Sequence, residues 1–285
     1  MTDIDRRTFV KTLGAATGAI AAGVYPALAS AEERNKLERI GIQLYTLRND
    51  MQRDFEGTLK NVADIGYKQV EFAGYFGRSP SDVRAILKRL GLDAPAAHIG
   101  TPAALTKDFQ KLVDDSKVMG HKYLFVAYIE EKDRTLDNYR RYADLLNSAG
   151  ETARKSGLRV GYHNHDFEFQ RIDGQIPYDI LLDRTDPKLV AMEMDLFWVR
   201  KGGRNPTEYF NRFPGRFEAV HVKDMGPPPE QRMVDVGKGQ IDFARIFAQR
   251  KKAGIRYFFV EHDNPEPSPL GSAKASYDYL KRLKF

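Results

Sequence analysis

There is no cysteine among the 285 residues, which excludes disulfides, thiolate ligands and structural zinc sites of the Cys type. After residue 31 no stretch approaches the roughly 20 apolar residues that cross a bilayer, so no membrane span is expected in a mature chain. A strong excess of one charge is also missing. The net charge is +6, and it falls to +5 if residues 1–31 are removed, because Arg6, Arg7 and Lys11 leave together with Asp3 and Asp5. Basic residues alternate with acids in KRLGLD, EEKDR and RRYAD, which reads as a solvated mixed surface and not as a nucleic-acid groove. Low-complexity blocks are absent too, and a hydrophobic fraction of 42% with 29% charged residues is that of a soluble globular chain.

The first 31 residues stand apart. They begin with charge, continue through a weakly apolar stretch rich in Ala and Gly, and end on small residues. This segment resembles a twin-arginine (Tat) export signal: Arg6 and Arg7 precede Thr8, Phe9, Val10 and Lys11, and both Ala27-Leu28-Ala29 and Ala29-Ser30-Ala31 offer an A-x-A cleavage site. The resemblance implies the Tat translocase as a transient partner and a periplasmic or secreted location. That route carries folded proteins, so a cofactor could be loaded before export.

From residue 32 to 285 one pattern recurs, in which an amphipathic helical stretch meets a glycine and then a short β-rich run. The glycines are Gly66, Gly91, Gly120, Gly157, Gly215 and Gly254, placed where a helix commonly ends in the left-handed conformation. The wide gap from 157 to 215 contains a further run, LVAMEMDLFWV, entered through Asp186-Pro187. With the opening run RIGIQLYTL this makes eight strands, each followed by a candidate helix. The expectation is an α/β fold of one domain, a (β/α)8 TIM barrel over 32–285. An open doubly wound sheet would normally carry a Gly-rich phosphate loop after its first strand, and RNDMQRDFEGTL has none. The G-x-G of VGKGQID lacks the third glycine, and it reads as a tight turn with Asp242 near the N-cap of the next helix.

In such a barrel chemistry sits at the C-terminal strand ends. Those ends carry Gln43 and Tyr45 (strand 1), Glu71 (strand 2), His98 (strand 3), His163 and His165 (strand 5), Glu193 and Asp195 (strand 6), His221 and Lys223 (strand 7), and Glu261 and Asp263 (strand 8). All five pairs are spaced by two, which puts both members on one face. Carboxylate with imidazole suits a hard or borderline divalent cation, and Asp195, His221 and Glu261 on three consecutive strands converge in a closed barrel. Each also has a plainer reading: His221 as a bonded core histidine, Asp195 as a cap, and Glu261 as half of an ion pair with Arg256 or Lys223. Phe197 and Trp198 read as rim packing or as a wall for the apolar face of a sugar ring.

GIQLYTLR, AHIG, YHNHDFEF, MDLFWV, HVKD, the G-x-G-x-I-D-F turn and VEHD, in this order across 37–285, resemble the sugar phosphate isomerase/epimerase family of xylose isomerase-like barrels. The resemblance implies one divalent metal on strands 5 to 8, manganese first and magnesium, zinc or cobalt as alternatives, and chemistry beside a carbonyl. Carried over by position, Asp195, His221 and Glu261 are metal ligands. Strand 5 departs from the family, which often has E-N-H where this chain has His163-Asn164-His165. Either His163 is the ligand, or Glu168 reaches back to the metal; the first leaves Glu168 as an acid/base. Glu261, Glu168, His165 and Lys223 are thus the catalytic candidates, and Tyr45, His98, Glu193 and Trp198 the substrate contacts, with Glu193 also a second base.

The expected substrate is a free sugar or keto-sugar, converted by an isomerase/epimerase or, on the same site, by a keto-glycoside lyase or hydratase. A periplasmic sugar-binding protein without turnover is the alternative of another class, and an endonuclease IV-like repair enzyme needs more histidine ligands than these strands supply. Self-association as a homo-oligomer is left open.

Overall fold

Strands buried on both faces mark a parallel sheet covered by helices. Such burial runs through strand 1 (Gly41–Gln43), strand 2 (Gln69–Phe72), strand 4 (Tyr123–Val126), strand 6 (Val190–Asp195) and strand 7 (Phe217–Val222). Strand 3 (Asp93–His98), strand 5 (Arg159–His163) and strand 8 (Tyr257–Val260) keep it except at their first residues and at His98. The computed structural model describes residues 36–285, and the leader read over 1–31 lies outside the described residues. All eight strands are parallel and close in the order 1-8-7-6-5-4-3-2, so the expected (β/α)8 barrel is what these residues form.

Helices follow the strands, and several are started by side-chain caps. Ser79 accepts from the Asp82 N–H at Pro80–Leu90, Thr135 from the Asn138 N–H at Leu136–Arg154, and Asp242 from the Arg245 N–H at Phe243–Ala248. The six punctuating glycines all have positive φ, between 65° and 120°, so the pattern read from the sequence is the helix-ending device it resembles.

Inside the barrel, Phe125, Phe259 and Tyr123 are opposed by the small residues Ala96, Ala191 and Ala219. Gly161 belongs to this layer: a Cβ there would stand 2.5 Å from the Phe125 ring and from the Ala191 carbonyl oxygen. Large and small residues thus interlock into a dry floor, and polar side chains are stacked above it at the strand ends.

Two local features differ from the sequence reading. Tyr45 is not in strand 1; it belongs to a 3-10 turn, Leu44–Leu47, and its ring is 43% exposed at the mouth. Between strand 7 and its helix the chain also makes a two-stranded antiparallel hairpin, Asp224–Met225 with Met233–Val234. Strands of two residues around GPPPEQR carry no periodicity that a sequence could display.

Candidate active site

Register places the key groups side by side. His163 is level with Glu193 on the neighbouring strand, and Asp195 is level with His221. Asp195, His221 and Glu261 each offer a ligand atom within 4.8 Å of the others, and His98, His163, Glu193 and His221 form a second such group. The groups share His221 and lie in two tiers.

In the lower tier Glu193 Oε2 accepts from His98 Nε2 at 2.8 Å and from His163 Nδ1 at 3.2 Å, with His221 Nε2 also 3.2 Å away. Glu71 Oε2 accepts from His221 Nε2 at 2.6 Å and from Gln43 Nε2 at 2.9 Å. A carboxylate behind an imidazole fixes its tautomer and aims the other nitrogen. For His163 that other nitrogen is Nε2, which lies 3.9 Å from Asp195 Oδ2 in the upper tier.

In the upper tier His221 Nδ1 is 2.7 Å from Glu261 Oε2, and the Lys223 ammonium reaches Asp195 Oδ2 at 3.1 Å, Glu261 Oε2 at 2.6 Å and Asp263 Oδ1 at 2.7 Å. Asp195 Oδ1 also caps the helix Leu196–Lys201 by accepting from the Trp198 N–H. The plainer roles of Asp195 and Glu261, as a cap and as an ion-pair partner, therefore coexist with their place in the cluster.

Burial would lower the His221 pKa, but Glu193, Glu261 and Glu71 outweigh it and hold the imidazole well above its usual range. Burial and the positive His221 push His163 down to about 3, so its ring is neutral. Burial raises Asp195 to about 6 against the pull of Lys223.

The donor set fits a divalent cation. Glu71, Glu193, Asp195 and Glu261 are all buried; Glu71 Oε1 and Glu193 Oε1 accept no hydrogen bond, and Asp195 Oδ2 has the Lys223 ammonium 3.1 Å away without a well-aligned hydrogen bond. Carboxylate oxygens buried without a hydrogen bond are unusual in native proteins and mark a place where a partner from outside the chain belongs. A hard cation held by oxygen and imidazole is such a partner.

Above the cluster opens a cavity of about 620 Å³, a size common for small-molecule sites. Tyr45, His98, His163, His165, Trp198, Lys223 and Glu261, all named from the sequence, line it. Glu193 and Glu168 do not. Glu193 lies beneath the histidines, where its contacts are imidazoles instead of substrate. Glu168 does not reach back to the metal cluster: its 3-10 turn, Phe167–Phe169, sends the carboxylate down to accept from Tyr162 O–H at 2.6 Å and from the His165 N–H at 2.8 Å. Burial raises it to about 7, although the Tyr162 hydrogen bond works the other way.

Sequence reasoning assigned no role to Glu71, Asn164 or Asp224. Asn164 Oδ1 accepts from the Asp195 N–H and its amide donates to the His165 carbonyl, locking strand 5 to strand 6. Asp224 accepts from the N–H groups of Met225, Gly237, Gly239 and Ile241. The G-x-G amides are thereby committed within the protein, in keeping with a turn and not a phosphate cradle. The signal for Glu71 was an acidic residue inside the short strand-like run QVEF.

The family description "Xylose isomerase-like TIM barrel" matches residues 59–283. The chain belongs to that family. This xylose isomerase-like barrel is similar to an inosose dehydratase of Geobacillus kaustophilus, 26% identical over 269 residues that cover 79% of this chain and 86% of the relative. Among solved structures it is similar to a sugar phosphate isomerase/epimerase from Parabacteroides distasonis, 27% identical with a TM-score of 0.75, covering 86% of this chain and 98% of the other. The IolI protein, described with a bound zinc atom, shares the fold at 16% identity and a TM-score of 0.68, covering 87% and 99%.

Proposed function

We propose that this xylose isomerase-like barrel is a divalent-metal-dependent lyase that removes water, or another oxygen leaving group, from a keto-cyclitol or keto-sugar by taking a proton beside the carbonyl. Asp195, His221 and Glu261 would hold the metal, with His163 Nε2 as fourth ligand and manganese the first candidate. When bound, the metal supplies Lewis-acid polarisation of the substrate carbonyl and stabilises the enediolate.

Glu261 is the base. Its Oε2 faces His221 and Lys223 and is the oxygen that would hold the metal, which leaves Oε1 to receive the proton. The Lys223 ammonium, buried against the cavity, supports negative charge on the substrate oxygen. Breaking the β C–O bond releases an oxygen that takes a proton, and the protonated Glu261 can return it on the same face.

One observation carries the choice of lyase. The carboxylates that line the cavity, Glu261 and Asp263, both follow strand 8, while the facing wall offers His98, His163 and His165 and no carboxylate. Elimination through a single carboxylate suits that asymmetry; epimerisation most simply needs a second base across the substrate. The inosose dehydratase name of a relative supports the same reading. An isomerase/epimerase is the second reading, favoured by the Parabacteroides relative, with His165 as the second base.

Incubating the manganese-loaded protein with inosose in deuterated water, quenching with chelator and following products by NMR decides between them. Loss of the β-oxygen supports the lyase, and deuterium at an intact stereocentre would replace it with the epimerase. Unchanged inosose in the presence of tight, chelator-resistant binding would point instead to a sugar-binding protein. A metal content far below one equivalent after loading would sink the metal site itself.

Residues 1–31 make export by the twin-arginine route part of the proposal. N-terminal sequencing of the exported form is expected to find a cut after Ala29 or Ala31, and an uncut chain retained in the cytoplasm would refute it.

A further inference from the structure

Among the described residues only three large hydrophobic side chains are exposed: Tyr45, Val118 and Tyr128. Two of them, Tyr45 and Tyr128, line the same cavity. Each is held in place by an arginine. The Arg48 guanidinium lies 4.1 Å from the centre of the Tyr45 ring and donates to the Tyr45 and Asp263 carbonyls at 2.9 and 2.8 Å, which ties the loop after strand 1 to the loop after strand 8. Arg134 donates to the Tyr128 hydroxyl at 2.7 Å and to the Ile129 carbonyl at 3.1 Å, and it stacks on Phe167 beside them. Aromatic rings fixed in advance at a cavity mouth lose little freedom when a ligand covers them.

The cavity lining is also divided by strand. The segments that follow strands 5 to 8 supply His163, His165, Trp198, Lys223 and Glu261, grouped about the candidate metal cluster. Strands 1 to 4 contribute His98, which is hydrogen-bonded to Glu193, and otherwise Tyr45, Ala73, Gly100, Ala127 and Tyr128. Ala73, Gly100 and Ala127 lie just past the ends of strands 2, 3 and 4, between the two tyrosines round the rim, and a Cβ on Gly100 would meet nothing within 4 Å. This half is therefore an open shelf with an aromatic ring at each end. A cyclitol or hexose ring has about twelve heavy atoms, and even at the roughly 30 Å³ that a free water molecule takes for each, it fills about 360 Å³. The cavity holds about 620 Å³, so space for a further ring remains.

We propose that Tyr45, Tyr128 and the shelf between them are a second subsite, which takes another sugar ring joined to the one that reacts over strands 5 to 8. The proposal rests on the reading of the cavity as a keto-sugar site, and it narrows that reading to a glycoside of two rings. A sugar suits the shelf because its C–H face can lie on an aromatic ring while its hydroxyls reach polar groups at the edge. Asp263 and Asn264, tied to Tyr45 through Arg48, line the cavity at that edge.

Calorimetry of the manganese-loaded protein with glucose, cellobiose, maltose and phenyl β-glucoside tests the subsite. The better of the two disaccharides is expected to bind roughly tenfold more tightly than glucose, the gain from covering one ring face. Tyr128→Ala removes one end of the shelf and Ala73→Phe fills it, and each is expected to bring the ratio of disaccharide to glucose affinity close to one. Both ligands are measured on the same protein, so the ratio does not depend on how much of a variant is folded. An unchanged ratio in both variants would overturn the shelf. Disaccharides that bind no more tightly than glucose, with inosose still bound or turned over, would overturn the second subsite and leave the proposed lyase standing. No binding of any of these sugars and no turnover of inosose would overturn the cavity reading and the subsite together. A gain with phenyl β-glucoside larger than that of either disaccharide would replace the second sugar by an aromatic group and overturn the assigned class.

Discussion

Glu193 accepts from two histidines and lies beside a third, with no water-exposed surface, so its charge acts through the imidazoles it aims. Glu193→Gln keeps the shape and removes that charge, and an outer carboxylate of this kind typically contributes 10–100-fold to metal affinity. Competition against a fluorescent chelator should show a loss of about that size in a protein that still melts cooperatively; an unchanged affinity would mean that the lower tier does not serve the metal. Glu168 provides a test by pH. Its carboxyl is raised from 4.5 to about 7 by burial, so the folded state holds a proton that the unfolded chain releases. The associated stability is fully present below about 4.5 and lost as pH rises through about 7, a change of roughly 3 kcal/mol. Glu168→Gln stays neutral throughout. Urea unfolding at pH 5 and pH 8 should therefore show the variant gaining on the wild type at the higher pH, and a pH-independent difference would refute the assignment. The two glutamates also mark what residue-level reading of a sequence can reach. That acids and histidines occupy strand ends was legible from spacing alone, but which carboxylate faces the cavity and which lies beneath depends on register and on one 3-10 turn, neither of which leaves a compositional trace.

At the scale of elements, the connection after strand 7 is organised by one side chain. Four backbone N–H groups converge on Asp224, and Gly239 must lack a side chain because a Cβ would stand 2.3 Å from Asp224 Oδ1. This segment also carries the hairpin whose Met233 Sδ accepts from the Asp263 N–H at 3.2 Å, next to the partner of Lys223. Asp224→Ala would strand those amides, at a cost of about 3 kcal/mol. Denaturant titration should report that loss, and limited proteolysis should find new cuts within 226–232; a variant as stable and as resistant as the wild type would show the turn to be self-supporting. From the sequence the glycines of this turn, the helix-ending glycines and the Asp242 cap were readable, because each is a local conformational requirement. The Asp224 hub was not, since its partners lie up to 17 positions away and only the folded loop brings them together.

Residues 36–285 can be followed as a single folding unit, because the eight barrel strands close on themselves and leave no open edge at which that sheet could unzip. The centre of the barrel concentrates four buried carboxylates, Glu71, Glu193, Asp195 and Glu261, around Lys223 and three imidazoles. The barrel was legible in the sequence as eight strand-like runs, six of them entered through a helix-ending glycine. The electrostatic load at its axis was legible only in part, because Glu71 and Glu193 join the cluster through closure of the sheet. Chelation should expose this load. Any ligand that binds the folded state alone stabilises it by about 2.7 kcal/mol at a hundredfold excess over its dissociation constant. For a chain of this size each kcal/mol moves the melting temperature by roughly 2–4 °C. Scanning calorimetry of the mature protein is therefore expected to show a single transition that falls by about 5–10 °C with excess chelator and returns when manganese or zinc is restored. His221→Ala, which removes the residue shared by both tiers, should melt at the same temperature with and without chelator. If the wild-type transition were equally indifferent, the carboxylates would be balanced by Lys223 and the imidazoles alone, and the metal-dependent reading of the site would fall with that result.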